Sequence, residues 1–340
     1  MTNPNVLIVG AGALGVVTGY HLQLAGADVT FLVRENRLAA LSLPQTLYCY
    51  DDGQLKTFSA YQTTSELGAL ARTRFDFVLV TLDGASCRSA EGIKLIIGIA
   101  DLIRDSEAVI IICGIGVRGH YLATTRLPES RILEGTLGSL AYQVDRVTLP
   151  LHPPTDPARL GQAAFAYHHF KGAPGFMLAA KPRAAAEAFA ALYNKSGVSK
   201  ATVMKAELYA IVSTAFFPIT AICDLAGWPE ANGISANNEL MRLGSRAMRE
   251  MIALPEHGWA GQLCAPLLQT PALDWLLKKM YQSSLPLDFH AFNRFHHGGK
   301  VRAQDLQVMQ HCLASGLAQG RKLPALGELV ARYERHCTAN

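Results

Sequence analysis

The stretch Asn5-Val-Leu-Ile-Val-Gly-Ala-Gly-Ala-Leu-Gly15 decides how the first half of this chain folds. Its apolar beginning has the length of a buried strand, and glycines follow at once in the pattern G-x-G-x-x-G. A small, apolar segment with helical spacing then runs to about Leu24, and Asp28-Val-Thr-Phe-Leu-Val33 is typical of a second buried strand. This order of strand, glycine-rich turn, helix and strand predicts a βαβ unit.

A glycine-rich turn of this kind has a chemical use. Gly10 allows the tight turn, Gly12 lets a pyrophosphate approach the backbone, and Gly15 permits close packing of the helix on the strand. The helix N-terminus then presents unpaired N–H groups and the positive end of its dipole to the phosphates. The alternative is a turn that is only structural. We predict a dinucleotide site formed by Gly10, Ala11, Gly12, Ala13, Leu14 and Gly15.

The residues after the second strand indicate which dinucleotide binds. The guanidinium of Arg34 suits the 2′-phosphate of NADP, and Arg37 is a candidate for a second contact. The predicted cofactor is therefore NADP(H). Two alternatives stay open: both arginines are solvated loop residues, or Glu35 turns inward and favours NAD.

Further apolar runs predict the rest of a parallel sheet. Strands are expected at Phe75–Leu82, Ala108–Cys113 and Arg131–Gly135, with a helix at Ala90–Arg104 between the first two. Continuous apolar strands that alternate with helices are typical of a sheet covered on both faces. The predicted fold is an α/β, Rossmann-type, doubly wound parallel sheet.

The pattern changes in the second half of the chain. A helix is predicted at Lys181–Asn194, and strand signals vanish from Lys205 onward, where long helical stretches dominate. We therefore predict an NADP-binding domain over residues 1–198 and an all-α domain over residues 199–340. The helical domain is expected to complete the substrate site in the cleft between domains, and a homodimer through it is an option.

Composition excludes several classes of function. Half of the 340 residues are hydrophobic, 17% are charged and the net charge is +4 without a Lys/Arg run, which argues against a nucleic-acid partner. The chain shows no signal-peptide pattern and no uninterrupted apolar run of membrane-spanning length. Seven widely spaced cysteines without a C-x-x-C pair predict neither a disulfide framework nor a metal site, and suit the cytoplasm.

The sequence resembles the ketopantoate reductases (2-dehydropantoate 2-reductases) over nearly its whole length. The resemblance rests on the glycine turn, on Arg34, and on four further segments: Val78-Leu-Val-Thr-Leu82, the Gly114-x-Gly116 turn, Lys205-Ala-Glu-Leu-Tyr209 and Phe217-Pro-Ile-Thr-Ala-Ile222. It implies reduction of a 2-keto acid with NADPH, and a helical C-terminal domain of the 6-phosphogluconate dehydrogenase type. By this resemblance Leu82, Asp83, Cys113 and Gly114 join the cofactor site.

The chain departs from the family pattern at the catalytic positions. Asp83 stands where the family has a lysine, and Cys113 where it has an asparagine. The family's catalytic lysine falls on Ile211 or Tyr209, depending on the register, and its next asparagine falls on Ala215 or Ser213. The late glutamate falls near Lys300 or Gln304. Because hydride delivery builds negative charge on the carbonyl oxygen, loss of the lysine requires another donor.

The segment His296-His-Gly-Gly-Lys300 offers replacements for that lysine. His297 is predicted to donate the proton, Lys300 to hold a carboxylate or polarise the carbonyl, and Tyr209 to be a further donor; which of the two histidines faces inward is left open. A solvated loop and a core tyrosine are the alternatives. Predicted substrate-binding residues are Cys113, Ser213, Ser284 and Asp305. The alternatives are a helix cap for Asp83, a packing role for Cys113 and a helix-terminus role for Ser284.

The sequence thus predicts an NADPH-dependent oxidoreductase that reduces a small carbonyl or imine compound, favouring a 2-keto acid. One alternative is a ketopantoate reductase whose lysine comes from another place, such as Lys205 or Lys300. Another is a non-catalytic NADP(H)-binding sensor. Steady-state turnover of NADPH distinguishes the sensor from either enzyme.

Overall fold

The computed structural model describes residues 3–229 and 233–339. The chain divides into two compact units, Met1–Met204 and Lys205–Asn340. This division lies six residues beyond the sequence-predicted boundary at 198. Each unit is described by itself below.

The described residues of the first unit contain twelve strands. In chain order these are β1 (Asn5–Val9), β2 (Asp28–Leu32), β3 (Gln45–Cys49), β4 (Gln54–Phe58), β5 (Gln62–Thr64), β6 (Phe77–Val80), β7 (Val109–Ile112), β8 (Ile132–Leu137), β9 (Ser139–Gln143), β10 (Phe165–His169), β11 (Phe176–Ala179) and β12 (Ala201–Met204). Its helices are α1 (Ala13–Leu24), α2 (Leu38–Leu41), α3 (Gly84–Arg88), α4 (Ala90–Ile103), α5 (Arg118–Thr125), α6 (Pro157–Leu160) and α7 (Arg183–Asn194).

The main sheet confirms the predicted α/β class. Within the described residues its eight strands follow the order β12-β11-β8-β7-β6-β1-β2-β5. All neighbours are parallel except β11 and β8, which are antiparallel. The five predicted strands are β1, β2, β6, β7 and β8, and the three predicted helices are α1, α4 and α7. Because β1, β2, β6 and β7 are parallel, the residues that follow them meet at one edge of the sheet.

Alternation along β1 explains why this sheet is covered on both faces. Val6 and Ile8 point into one apolar core, which includes residues of α1 and α7. Leu7 and Val9 point into the other, which includes residues of α4 and α5. Since successive strand residues face opposite sides, a strand apolar throughout fills both cores at once.

A second sheet was not predicted from the sequence. Its order is β4-β3-β10-β9, with β3 and β10 parallel and the outer pairs antiparallel. The strands are five residues long and mix apolar residues with Gln, Thr, Lys and His, so no continuous apolar run marks them. The strands β5, β11 and β12, which are three or four residues long, were also missed.

The second unit is helical throughout its described residues, as predicted from Lys205 onward. Its helices are α8 (Ala206–Thr214), α9 (Phe217–Leu225), α10 (Gly233–Ala236), α11 (Asn238–Ile252), α12 (Gly258–Cys264), α13 (Thr270–Ser284), α14 (Phe289–Phe295), α15 (Arg302–Ala318) and α16 (Pro324–Ala339). A π-helical turn, His296–Lys300, joins α14 to α15. Helix α11 packs against α9 and α16, and α15 also packs against both.

Among the described residues, the helical stretch Ala206–Leu225 is long and apolar enough to cross a membrane by length and composition alone, although Glu207 and Asp224 interrupt its apolar run. It has 20 residues and a mean hydropathy of 1.7, so it passes a test of length and composition. Half of that stretch is buried inside the structure. Core helices of globular proteins meet the same test, and the packing of α9 against α11 and α15 accounts for its apolar character.

Candidate functional site

The glycine turn adopts the conformation that its sequence predicts. Gly10 has φ +98°, a value that L side chains rarely adopt. A Cβ on Gly15 would lie 2.4 Å from the carbonyl oxygen of Gly10, so only glycine lets α1 approach the turn this closely. Thr81, which the sequence analysis missed, donates its hydroxyl to the carbonyls of Val9 and Gly10 at 3.1 Å. The sequence feature that could have identified Thr81 is its position directly after β6.

The N-terminus of α1 is open to an anionic ligand. Gly12 is exposed and begins the helix without a side-chain cap, and the first turn carries no acidic residue. The first amides of a helix have no intrahelical acceptor, and they lie at the positive end of its dipole. This arrangement is able to bind a phosphate or pyrophosphate.

Arg34 lies two residues beyond the end of β2, on the same edge of the sheet. Its side chain is exposed, and Arg37 is partly buried. In the part of the chain that the structure describes, neither arginine forms an ion pair. Glu35 is also exposed, in the short 3₁₀ turn Glu35–Arg37. Both guanidinium groups are therefore available to a phosphate.

Asp83 has a structural partner of its own. It caps α3: one carboxylate oxygen accepts from the Ser86 amide at 2.9 Å, and the other accepts from the Ser86 hydroxyl at 2.7 Å. The structure thus shows the helix-cap arrangement that the sequence analysis had kept as an alternative. Leu82, half-buried beside it, contacts the glycine turn, because a Cβ on Gly10 would lie 3.3 Å from its side chain.

Cys113 and Gly114 follow β7 at the same edge. Gly114 lies so close to the preceding loop that its Cβ would be 3.1 Å from the Leu82 carbonyl oxygen. Burial raises the pKa of the Cys113 thiol far above its usual range, and Cys87 adds to the shift, so the group stays protonated and serves as a packing residue. Arg88, another residue that the sequence analysis missed, donates to the carbonyl oxygens of Gly84 and Gly116 and ties the two loops together.

Glu134 is a further acidic group that the sequence analysis did not single out. It pairs with Ile112 in the register of β7 and β8, one residue before Cys113. Burial raises the pKa of its carboxyl, while Arg118 lowers it. No motif marks this residue, because its burial depends on the pairing of two distant strands.

The π-helical turn in the second unit brings His297 and Asp305 together. The imidazole Nδ1 of His297 lies 2.7 Å from Asp305 Oδ2, and the carboxylate is fully buried. The sequence analysis predicted that Asp305 binds the substrate, but this buried carboxylate is not placed to touch one. It is instead the partner of His297. Burial raises the pKa of the Asp305 carboxyl, and His297 opposes that shift.

The remaining candidates of the π turn differ in their surroundings. His296 stacks on Phe292 with ring centroids 5.5 Å apart. Burial, then the charges of His297 and Lys300, lower the pKa of His296 well below its usual value, so this imidazole is neutral. Lys300 ends the turn and is exposed. Of the two adjacent histidines, His297 is thus the one paired with an acid.

The other predicted residues lie on α8 and α13. Tyr209 is buried on α8, as expected of a core aromatic, and Ser213 donates to the carbonyl of Ala210 at 3.1 Å. Ser284 is fully buried and donates to the carbonyl of Tyr281 at 2.8 Å, which is the helix-terminus arrangement. Among the described residues, no group of three His, Cys, Asp or Glu side chains could hold a metal ion.

The fold is similar to that of known proteins. Residues 6–148 match the family model described as Ketopantoate reductase PanE/ApbA. No curated protein matches the chain. Three solved structures share the fold at low identity.

The first is 2-dehydropantoate 2-reductase from Geobacter metallireducens GS-15, at 19% identity and a TM-score of 0.66, covering 97% of this chain and 99% of that one. The second is 2-dehydropantoate 2-reductase from Methylococcus capsulatus, at 17% identity and 0.63, covering 96% and 94%. The third is a D-mandelate dehydrogenase with NADH and anilino(oxo)acetate, at 15% identity and 0.63, covering 98% of both chains. The segment 6–148, which holds the glycine turn and Arg34, is therefore similar to the ketopantoate reductase PanE/ApbA family, and the chain shares the fold of these solved structures.

Proposed function

We propose that this protein is an NADPH-dependent oxidoreductase that reduces a small carbonyl or imine compound, most favourably a 2-keto acid. The observation that carries the proposal is the open N-terminus of α1. It begins behind a glycine turn without a cap or an acidic residue, at the sheet edge where the unpaired Arg34 also lies. A dinucleotide pyrophosphate and a 2′-phosphate fit these two features.

The comparisons support an oxidoreductase of this family. The family model covers the segment that carries the glycine turn, and a protein of the same fold is a D-mandelate dehydrogenase described with NADH. Its second ligand, anilino(oxo)acetate, is an oxo compound with a carboxylate, which supports the same substrate class here. Arg34 favours NADPH over NADH, because its guanidinium would neutralise the charge of the 2′-phosphate, which NADH lacks.

His297 is the proton donor that we propose. When bound, NADPH would supply the hydride to the carbonyl carbon, and His297 would supply the proton that the oxygen needs to become the alcohol. The His297 ring lies 5.5 Å, centroid to centroid, from Phe216, directly after the segment where the resemblance places the family's lysine and asparagine. Lys300, exposed on the same turn, would attract a substrate carboxylate.

Binding measurements test the cofactor assignment without a known substrate. An Arg–phosphate contact stabilises a complex by about 1–3 kcal/mol, so Arg34→Ala should weaken NADPH roughly ten- to a hundredfold and leave NADH nearly unchanged. Arg72→Ala is the matched control, since Arg72 is also exposed but precedes β6 at the opposite edge of the sheet. Equal weakening of both cofactors in titration calorimetry would contradict the assignment.

Turnover then tests the chemistry. NADPH oxidation is measured against a panel of 2-keto acids, ketopantoate included, and related carbonyls. His297→Ala and Lys300→Ala should each lower kcat/KM by about 10² or more with NADPH affinity intact, while His311→Ala, an exposed histidine on α15, should not. Turnover of ketopantoate would favour the ketopantoate reductase alternative. NADPH binding without any turnover would favour the sensor.

A further inference from the structure

The π-helical turn His296–Lys300 packs against a second buried carboxylate, that of Asp224. A Cβ on Gly298 would lie 2.5 Å from Trp228 Nε1 and 3.1 Å from Asp224 Oδ1, so this position accepts glycine alone without displacing a neighbour. The wide turn thereby lies directly on the C-terminal end of α9. Such π-helical turns are rare and occur frequently at functional sites.

The charge of Asp224 is already balanced. Arg302 Nε lies 3.0 Å from its Oδ2, the Trp228 indole donates to Oδ1 at 2.9 Å, and His336 Nε2 lies 3.6 Å from Oδ2. This network fixes the beginning of α15, on which Asp305 lies one turn after Arg302. Asp224 therefore stabilises the scaffold and has no proton to share with His297.

Asp305 has a different set of partners. Its side chain is fully buried, its Oδ2 accepts from His297 at 2.7 Å and from the Thr220 hydroxyl at 3.3 Å, and its Oδ1 has no hydrogen-bond partner among the described residues. No arginine or lysine pairs with it in that part of the chain. An isolated buried carboxylate is costly, so a hydrogen bond donated by His297 Nδ1, which lies 2.7 Å away, is the contact that compensates it.

We propose that Asp305 is a positioning residue that holds the Nδ1–H of His297, so that Nε2 carries the proton given to the substrate. This inference rests on the proposed function, in which His297 is the donor. During reduction the Nε2–H bond breaks and the O–H bond of the product forms as NADPH is oxidised to NADP⁺. The neutral imidazole keeps its Nδ1–H on Asp305, and solvent restores the Nε2 proton. A carboxylate in this position fixes the tautomer and stabilises the imidazolium.

The groups around the pair support this assignment. His296 is neutral, Lys300 is exposed, Asp224 is occupied by Arg302 and His336, and Tyr333 lies buried on α16. The His297 side chain keeps 15% of its surface exposed while Asp305 keeps none. The pair is therefore arranged with its carboxylate inside and its imidazole towards the surface of the helical unit.

The first measurement needs no substrate. Nitrogen-15 NMR of the histidine side chains, recorded at a pH where the His297 ring is neutral and with its signals assigned from His297→Gln, reports which ring nitrogen carries the proton. We expect the Nδ1–H form in the native protein and its loss in Asp305→Asn, where the amide no longer provides a charged acceptor. An Nε2–H tautomer in the native protein would overturn the proposal, whatever the enzyme reduces.

The second measurement is kinetic and uses a matched control. Asp305→Asn should lower kcat/KM by about 10² or more at unchanged NADPH affinity, because the imidazole loses the carboxylate that orients it. Thr220→Val removes the other hydrogen bond to the same carboxylate and should stay within about threefold of wild type. A folded Asp305→Asn protein with wild-type kcat/KM would overturn the positioning role. If His297→Gln itself keeps full activity, the proposed function fails at His297, while the NMR result still decides whether the pair exists.

Discussion

Gly298→Ala and Gly299→Ala differ by one residue and should have opposite effects on the helical unit. At 298 the new methyl group would lie 2.5 Å from Trp228 Nε1, about 1 Å short of ordinary van der Waals contact. At 299 the nearest atom outside the glycine's own surroundings is the Arg294 carbonyl oxygen at 4.0 Å, so the methyl group has room. Both changes remove the same backbone freedom from the unfolded chain.

The magnitudes follow from this contrast. Replacing glycine by alanine at a position that accepts it stabilises a protein by about 0.4–1 kcal/mol, which is the expectation for Gly299→Ala. Overpacking a closed site costs about 1–3 kcal/mol, and this cost is added at 298. Relief of the overlap would also move the Trp228 indole away from Asp224, weakening the network that includes Arg302. The free energies of unfolding of the two variants should therefore differ by about 1–3 kcal/mol.

Tryptophan fluorescence during urea unfolding reports this difference from the helical unit, where the substitutions lie. The three tryptophans of the chain, at 228, 259 and 275, all lie in the helical unit. Under the proposed function Gly298→Ala should also lower kcat/KM, since it displaces the turn that carries His297, while NADPH affinity stays constant. Equal stability of the two variants would refute the packing argument for the π turn.

Three further predictions follow from the described residues. Gly15→Ala, whose Cβ would lie 2.4 Å from a backbone oxygen, should lower thermal stability and weaken NADPH at least about tenfold, whereas Gly119→Ala, with open space around it, should do neither. Burial lowers the pKa of His21 to about 3, so the folded protein requires its neutral form. Below the unfolded pKa of about 6.5, the free energy of unfolding should therefore fall by up to about 1.4 kcal/mol per pH unit, and less steeply in His21→Gln. Urea unfolding at about pH 7 and about pH 5 measures this difference. Trp259 on α12 is 72% exposed, and Leu263, one helical turn later, is 64% exposed. If the chain dimerises through this part of the helical unit, Trp259→Lys should reduce the mass measured by light scattering to that of a monomer. An unchanged dimer would exclude this surface.

The first half of the fold was predictable because its signals are local. A strand that fills two cores reads as an uninterrupted apolar run, and Gly10 and Gly15 mark the turn that follows β1. The second sheet lacked such a signal. In β10, Phe165-Ala-Tyr-His-His169, buried histidines replace apolar residues, and both His168 and His169 have a nitrogen 2.6 Å from an Asp51 oxygen. That compensation comes from a residue more than a hundred positions earlier, so no sequence window contains it.

The candidate cofactor site and the proposed catalytic site differ in the same way. Arg34 and the glycine turn could be placed from the sequence, because each follows a strand end within a few residues. No local signal distinguishes His296 from His297, since the choice depends on which ring meets Asp305, eight or nine residues later across a π turn. A regular helix over the same residues would change which side chains share a face with Asp305.

The position where the family has its lysine and the π turn that carries His297 lie close together in the helical unit. The two registers put that lysine at Ile211 or Tyr209, and both side chains are buried on α8, so neither position could present a charged group without loss of packing. Immediately after α8, Phe216 contacts the His297 ring, whose Nδ1 lies 2.7 Å from Asp305. A second cationic donor on α8 would have to be desolvated beside this turn, and burial disfavours a charged group. Under the proposed function, the apolar α8 and the acid-paired histidine therefore form one arrangement, in which the turn between α14 and α15 supplies the proton donor.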